Sequence, residues 1–412
     1  MASSIVTPPA DKNLIRNPIY VTLESDLFTG SAPEYEPSEA NLSCYLEVHQ
    51  VIGLATPLIA ALRGPYSSRD KQISFDVSRL LPRVIALPSA VSIGVSPGAG
   101  DPYYGEAEGL AYQWFLKHAD QYGDPVVKET LVIGDTYLAI NGGLPADAVQ
   151  DINWAGGAIG LHTYYYRRAS AFPFYKPVGR MQPDWMYFVA LATDTFLITV
   201  TIHYSDGTTD VVTVLEMADI TSNKAYWVQC GYAQLKIDDH ADPDKDVVGY
   251  DVSLIRETGM QNTYTAFFVV DDMDSSWERY ILFQNGFGGY ETVRMKGITR
   301  YTHDVDRQSF ERTRWIDFNT ETGTMDDLSV LGGPVFNTHT GHYPKHYLNH
   351  LRQLLHGKLW LVDLELSLLN EYRFKKIQCL TNSIELGSDV PAADGFAISY
   401  RHGWLDDGFN VY

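Results

Sequence analysis

The stretch TFLITVTIHYSDGTTDVVTVLEM, residues 195–217, leaves the backbone few choices. Phe196, Ile198, Val200 and Ile202 alternate with Thr199, Thr201 and His203, and an alternation of that kind puts one set on each face of a pleated strand. A helix, repeating every 3.6 residues or about that, would scatter both sets around its circumference. Asp206-Gly207 then supplies a tight hairpin turn, because glycine reaches the positive φ that such turns need. A chain with this pattern is committed to sheet.

The same pattern recurs along most of the chain. In NLSCYLEVHQV (41–51), Leu42, Cys44, Leu46 and Val48 share a face. IYVTLES, LIAALRGPY and QISFDVSRLL follow suit, with turn residues between them at short intervals, as in antiparallel sandwiches. AYWVQCGYAQLKI, VVGYDVSLIR and TYTAFFVVDD continue the series after residue 182, roughly seven strands over about 120 residues, which is a fibronectin-type or immunoglobulin-like count. At 412 residues the chain is too long for one ordinary core. The expected fold is mainly β: an N-terminal antiparallel sandwich with a long loop excursion over 1–180, a second sandwich over 181–300, and a small C-terminal α+β domain over 301–412. The one clear helix lies in that last part. PKHYLNHLRQLLHG offers Pro344 at a first turn, an apolar face of Tyr347, Leu348, Leu351, Leu354 and Leu355, and Gly357 as C-terminal cap.

YILFQNGFGGYETVRMKG (280–297) poses a choice between a phosphate cradle and a turn. A dinucleotide loop needs G-x-G-x-x-G between a strand and a helix, whereas Gly286, Gly288 and Gly289 are spaced otherwise. The β-branched and aromatic residues after Gly289 continue as a strand, so NGFGG reads as a five-residue hairpin loop closing the second sandwich.

A formal net charge of −20 sets up a field that repels nucleic acid and anionic membranes. Cys44, Cys230 and Cys379 are odd in number and far apart, and read as small buried hydrophobes. MASSIVTPPADKNLIRNP carries no apolar run after its first charges, and no segment reaches about 18 uninterrupted apolar residues, which points to synthesis in the cytoplasm and no membrane insertion.

Histidine is the most tempting ligand set: His339, His342, His346, His350 and His356 are five of the 12. His342, His346 and His350 recur at the i+4 spacing of zinc helices, but tyrosine stands where H-E-x-x-H carries its glutamate, and the stripe reads as an exposed helix edge. Asp242-Pro-Asp244-Lys-Asp246 opens like a calcium loop, yet Val247 and Ser253 replace its glycine and its bidentate glutamate, leaving a solvated acidic turn. No G-x-S-x-G elbow, Cys-His signature or P-loop lysine is present, so the sequence assigns no catalytic residue, cofactor or metal. Aromatic and cationic residues supply a candidate interface instead: Tyr164, Tyr165, Tyr166, Arg167 and Arg168, with Trp404, Phe409 and Tyr412 in the C-terminal tail.

Taken in order, AINGGLP (139–145), QPDWMYF (182–188), TVTIHYSDGTT (199–209) and ILFQNGFGGYETVRMKG (281–297) resemble proteins encoded by tailed phages and prophages of the Bacteroidota, of the tail or baseplate type. The resemblance runs over about residues 15 to 400. It implies two β-sandwich modules and a non-enzymatic, homo-oligomeric role in a virion assembled in the host bacterial cytoplasm. The implied partners are copies of itself, other virion proteins and a host-surface glycan, with no nucleic acid. Two other classes fit the same residues: a glycan-binding or glycan-cleaving β-rich protein, and a subunit of a phage-derived injection machine.

Overall fold

The structure, a computed structural model, describes residues 3–32, 34–83, 104–143, 157–161, 175–272, 278–311, 325–364, 372–382, 395–402 and 406–407. It is mainly β and built from several antiparallel sheets. Tyr164 to Arg168, Trp404, Phe409 and Tyr412 lie outside the described residues. No helix among those described is long and apolar enough to cross a membrane.

At the N-terminal end a three-stranded sheet (Ser4–Thr7, Tyr20–Glu24, Gln72–Asp76) faces a six-stranded sheet whose long members are Ser43–Gln50, Leu58–Pro65, Ala111–Tyr122 and Val132–Ile140. The alternation anticipated for 41–51 holds: Cys44, Leu46 and Val48 are fully buried, in one core with Val21, Leu23, Trp114 and Leu116.

Asp120 interrupts this core. It is fully buried, and accepts hydrogen bonds from Tyr66 Oη at 2.7 Å and Ser25 Oγ at 2.9 Å. Burial raises its pKa, and the two hydroxyl donors offset this only in part. A carboxyl whose folded pKa stands above its unfolded value loses stability as pH rises from the ordinary carboxylate range through the raised value. Asparagine would accept from Tyr66 and donate to Ser25 without a charge. Asp120→Asn is therefore expected to gain stability relative to the parent as pH rises across that window, read as diverging urea midpoints; midpoints that stay parallel would contradict it.

The rest of the chain stacks in layers. A central four-stranded sheet consists of Ala158–Gly160, Trp185–Ala190, Lys224–Gln229 and Tyr104–Glu106. Trp185–Ala190, WMYFVA, is buried at every position. Met186, Phe188 and Ala190 enter a core shared with the five-stranded sheet (Tyr175–Val178, Gln261–Val270, Val247–Arg256, Asp194–Tyr204, Thr209–Ile220). Trp185, Tyr187 and Val189 face the other way, into a core with Tyr280, Leu282, Tyr290 and Trp360 of the C-terminal sheet. That sheet repeats the device, because Ile281 and Phe283 point to its far side against Tyr347, Leu348, Leu351 and Leu354 of the helical segment. Continuous apolar strands are what a sheet buried on both faces requires.

The hairpin of residues 194–220 forms as expected, with Phe196, Ile198, Val200 and Ile202 fully buried and Gly207 at φ 83°. NGFGG is likewise a five-residue loop between Arg279–Gln284 and Tyr290–Met295. Its sheet differs from the expectation: Arg279–Gln284 pairs with Leu359–Leu364, so the hairpin opens the C-terminal sheet and does not close the preceding sandwich. Sheet membership also crosses residue 180, since Tyr175–Val178 pairs in parallel with Gln261–Val270 and Tyr104–Glu106 pairs with Lys224–Gln229. Alternation reveals which face of a strand is buried; it carries no information on which distant strand becomes the neighbour.

Candidate functional site: a buried polar seam

Where the central, five-stranded and C-terminal sheets meet, the core turns polar. Tyr290–Met295 is an edge strand of its sheet, so the N–H and C=O of Thr292 have no strand on their outer side. The segment Gln182-Pro183-Asp184 stands in for one. Asp184 Oδ1 accepts the Thr292 N–H at 3.1 Å, and Gln182 Nε2 donates to the Thr292 carbonyl at 3.2 Å. Gln182 is itself held by the Gly179 N–H, and the Asp184 N–H by Gln234 Oε1 at 2.9 Å.

Lys176 closes the far side of Asp184. Its Nζ lies 2.6 Å from Asp184 Oδ2 and 3.9 Å from Glu291 Oε2, with side-chain exposures of 5%, 0% and 0% in that order. Burial, the largest influence, pushes the ammonium toward its neutral form; the two carboxylates together outweigh it, and the Lys176 pKa stands above the ordinary value. Burial likewise drives the neighbouring Cys230 thiol well up, with Asp184 adding to the effect.

Glu291 connects this pair to the helix. Gln353 Oε1 accepts the Gly286 N–H at 2.6 Å, which orients the amide so that its nitrogen donates to His350 Nδ1 at 3.1 Å. His350 Nε2 then carries the hydrogen and donates to Glu291 Oε2 at 2.9 Å, while Asn285 Nδ2 donates to Glu291 Oε1 at 2.7 Å and to the Leu161 carbonyl at 3.0 Å. The chain from the Gly286 amide to the carboxylate is thus ordered donor to acceptor throughout.

The glycines make this closeness possible. An added Cβ on Gly142 would sit 2.5 Å from Phe287 Cα, and one on Gly289 would sit 3.0 Å from the Tyr187 ring. Gly143 donates its N–H to the Gly286 carbonyl at 2.8 Å, so the AINGG turn and the NGFGG loop are bonded to each other. The glycines of 286–289 therefore serve backbone-to-backbone docking. Chemically the seam is a buried ionic core in which Lys176, Asp184, Glu291 and His350 meet one another, while Asn285 Oδ1 and Gln234 Nε2 are buried without a hydrogen-bond partner among the described residues.

The helix forms over Lys345–Leu351 and runs on as a tighter turn over Arg352–Leu355, with Tyr347, Leu348, Leu351 and Leu354 buried as expected. The histidine stripe is a correction. His350 is only 6% exposed and turned into the seam with both ring nitrogens engaged, because Glu291 arrives from the adjoining strand; His342 alone of the i+4 trio is described as exposed, and the side chain of His346 lies outside the described residues. The acidic turn at 242–246 holds a cation of its own: Lys245 Nζ donates to Thr208 Oγ1 at 2.8 Å, lies 3.5 Å from Asp206 and 3.9 Å from Asp242, and sits over the Tyr204 ring. Lys176, Asp184, Glu291 and His350 escaped the sequence reading as a group. The available signal was a carboxylate inside an otherwise strand-like run, Tyr290-Glu-Thr-Val, which must find a partner if that run is buried.

No protein-family model and no curated protein matches this chain. Among solved structures, the plexin A4 full extracellular region, domains 1 to 8, is similar at 7% identity and a TM-score of 0.19, covering 97% of this chain and 36% of that one. The chain thus spans about a third of that protein's length, and a likeness so slight carries no argument.

Proposed function

We propose that the chain is a structural subunit of a tailed-phage virion, in the tail, tail tip or baseplate, working through interfaces with copies of itself and with other virion proteins rather than by catalysis. One observation carries the reading: three of the four phrases that resemble tail and baseplate proteins, AINGGLP, QPDWMYF and ILFQNGFGGYETVRMKG, meet at the seam. AINGG meets NGFGG through Gly143 and Gly286, and QPD meets YETV through Asp184 and Thr292. Those phrases thus encode the locking of one sheet to the next. A subunit that transmits load through an assembly needs layers that do not slide, and a seam of hydrogen-bonded and ion-paired groups between buried sheets supplies that rigidity. The aromatic and cationic residues Tyr164 to Arg168, together with Trp404, Phe409 and Tyr412, are the proposed contacts to neighbouring subunits, since such side chains bury much area at little rotameric cost.

The test combines light scattering, negative-stain imaging and mass spectrometry of purified particles. The full chain is expected to form a symmetric homo-oligomer and to be present in the particles, and deletion of 404–412 is expected to weaken assembly. A strictly monomeric chain absent from the particles would defeat the proposal. Its recovery from a contractile injection apparatus lacking a genome would reassign it to a phage-derived machine.

A further inference from the structure

We propose that Lys176 and Asp184 join covalently, through an isopeptide bond between Nζ and Cγ formed by the chain itself with Glu291 as proton carrier. Three features of the seam converge on this chemistry. First, nucleophile and acceptor are already in contact, with Nζ 2.6 Å from Asp184 Oδ2, and groups held in contact inside a fold react as though at very high concentration. Second, the carboxyl is polarised from its other side: Asp184 Oδ1 accepts the Thr292 N–H at 3.1 Å, a donor placed where negative charge would grow on attack, while the Thr292 hydroxyl donates to the Pro183 carbonyl at 2.5 Å and holds the segment in place. Third, a second buried carboxylate stands beside the nitrogen, with Glu291 Oε2 at 3.9 Å from Nζ, and is steadied by Asn285 and His350.

The reaction balances without any outside reagent. An Nζ proton passes to Asp184 Oδ2, giving the neutral amine and neutral acid from which attack proceeds. The amine lone pair adds to Cγ, forming the C–N bond and placing negative charge on Oδ1. Glu291 takes the surplus proton from nitrogen and returns it to the Oδ2 hydroxyl; the Cγ–Oδ2 bond breaks, Oδ1 regains its double bond and one water leaves. Ammonium plus carboxylate become amide plus water, with no change of oxidation state. The product would fasten Tyr175–Val178, an edge strand of the five-stranded sheet, to the segment entering the central sheet, next to the seam that bonds it to the C-terminal sheet. The inference stands on this geometry, independently of the virion reading.

The experiment is intact-mass measurement of the purified full chain, followed by denaturing tryptic digestion. Wild type is expected at the sequence mass less one water. Cleavage between Arg180 and Met181 is expected to leave the two flanking peptides joined, with fragmentation placing the branch at Lys176 and Asp184. Asp184→Asn is expected to lose one ammonia instead of one water, Lys176→Arg to keep its full sequence mass, and Glu291→Gln to keep its full mass while retaining the near-ultraviolet dichroism of the parent. A wild-type chain at full mass, with the two peptides separate, overturns the proposal whether or not Glu291→Gln folds. A branch found at Glu291, or water lost elsewhere in the chain, overturns the assignment to Asp184.

Discussion

Lys176→Met is expected to lower the unfolding free energy by about 3–5 kcal/mol relative to the chain in which Lys176 and Asp184 are not joined, the usual cost of removing one member of a buried ion pair. Methionine matches the lysine stem in length, so little apolar packing is lost. What remains is Asp184 and Glu291, both fully buried, with no ammonium between them. The hydrogen bonds from Thr292 and Asn285 persist, but neutral donors do not replace a counter-charge in a medium of low polarity. Adding Asp184→Asn to Lys176→Met is expected to restore part of the loss, because it removes one of the two buried carboxylates that faced the ammonium. Urea unfolding of the two variants and of Lys176→Arg, which keeps a cation and forms no bond to Asp184, decides it: Lys176→Met within about 1 kcal/mol of Lys176→Arg would mean that water reaches the seam.

The contrast between what alternation revealed and what it hid follows from the range of each signal. Phe196 through Ile202 could be assigned to a buried face because the neighbours that matter for pleating are two residues away. WMYFVA shows in the structure what such a run requires: Trp185–Ala190 is apolar throughout and is covered by a layer on each face. The NGFGG turn was legible for the same local reason. Its sheet was not, because pairing of Arg279–Gln284 with Leu359–Leu364 depends on strands far along the chain.

The seam was hidden for a related reason. Lys176, Asp184, Glu291 and His350 belong to four separate segments, and none of their local spacings matches a motif. His350 was even placed on the solvent side, since a helical wheel ranks histidine with the polar residues; its burial becomes intelligible only when the carboxylate of Glu291 is seen opposite it. A buried polar cluster between sheets is a tertiary fact, and its trace in the sequence is no more than a charge in an unlikely place.

Gly142→Ala carries the second large expectation, a loss of about 3 kcal/mol with opening of the contact between the AINGG turn and the NGFGG loop. The added methyl would lie 2.5 Å from Phe287 Cα, 2.7 Å from its carbonyl carbon and 2.7 Å from its oxygen. Those are backbone atoms, and no rotamer change can move them aside. Phe287 cannot easily retreat, because its ring is fully buried in the core shared by Trp185, Tyr187 and Tyr290. Relief must therefore come from withdrawal of the turn, which would break the Gly143 N–H to Gly286 carbonyl bond and disturb the Gly286 N–H that orients Gln353. Hydrogen exchange should report this directly, with faster exchange in peptides covering 141–143 and 285–289 and unchanged protection in the distant 194–220 hairpin. A Gly142→Ala protein with parental stability and parental exchange over both turns would show that the two glycine-bearing segments are adjacent without being locked together.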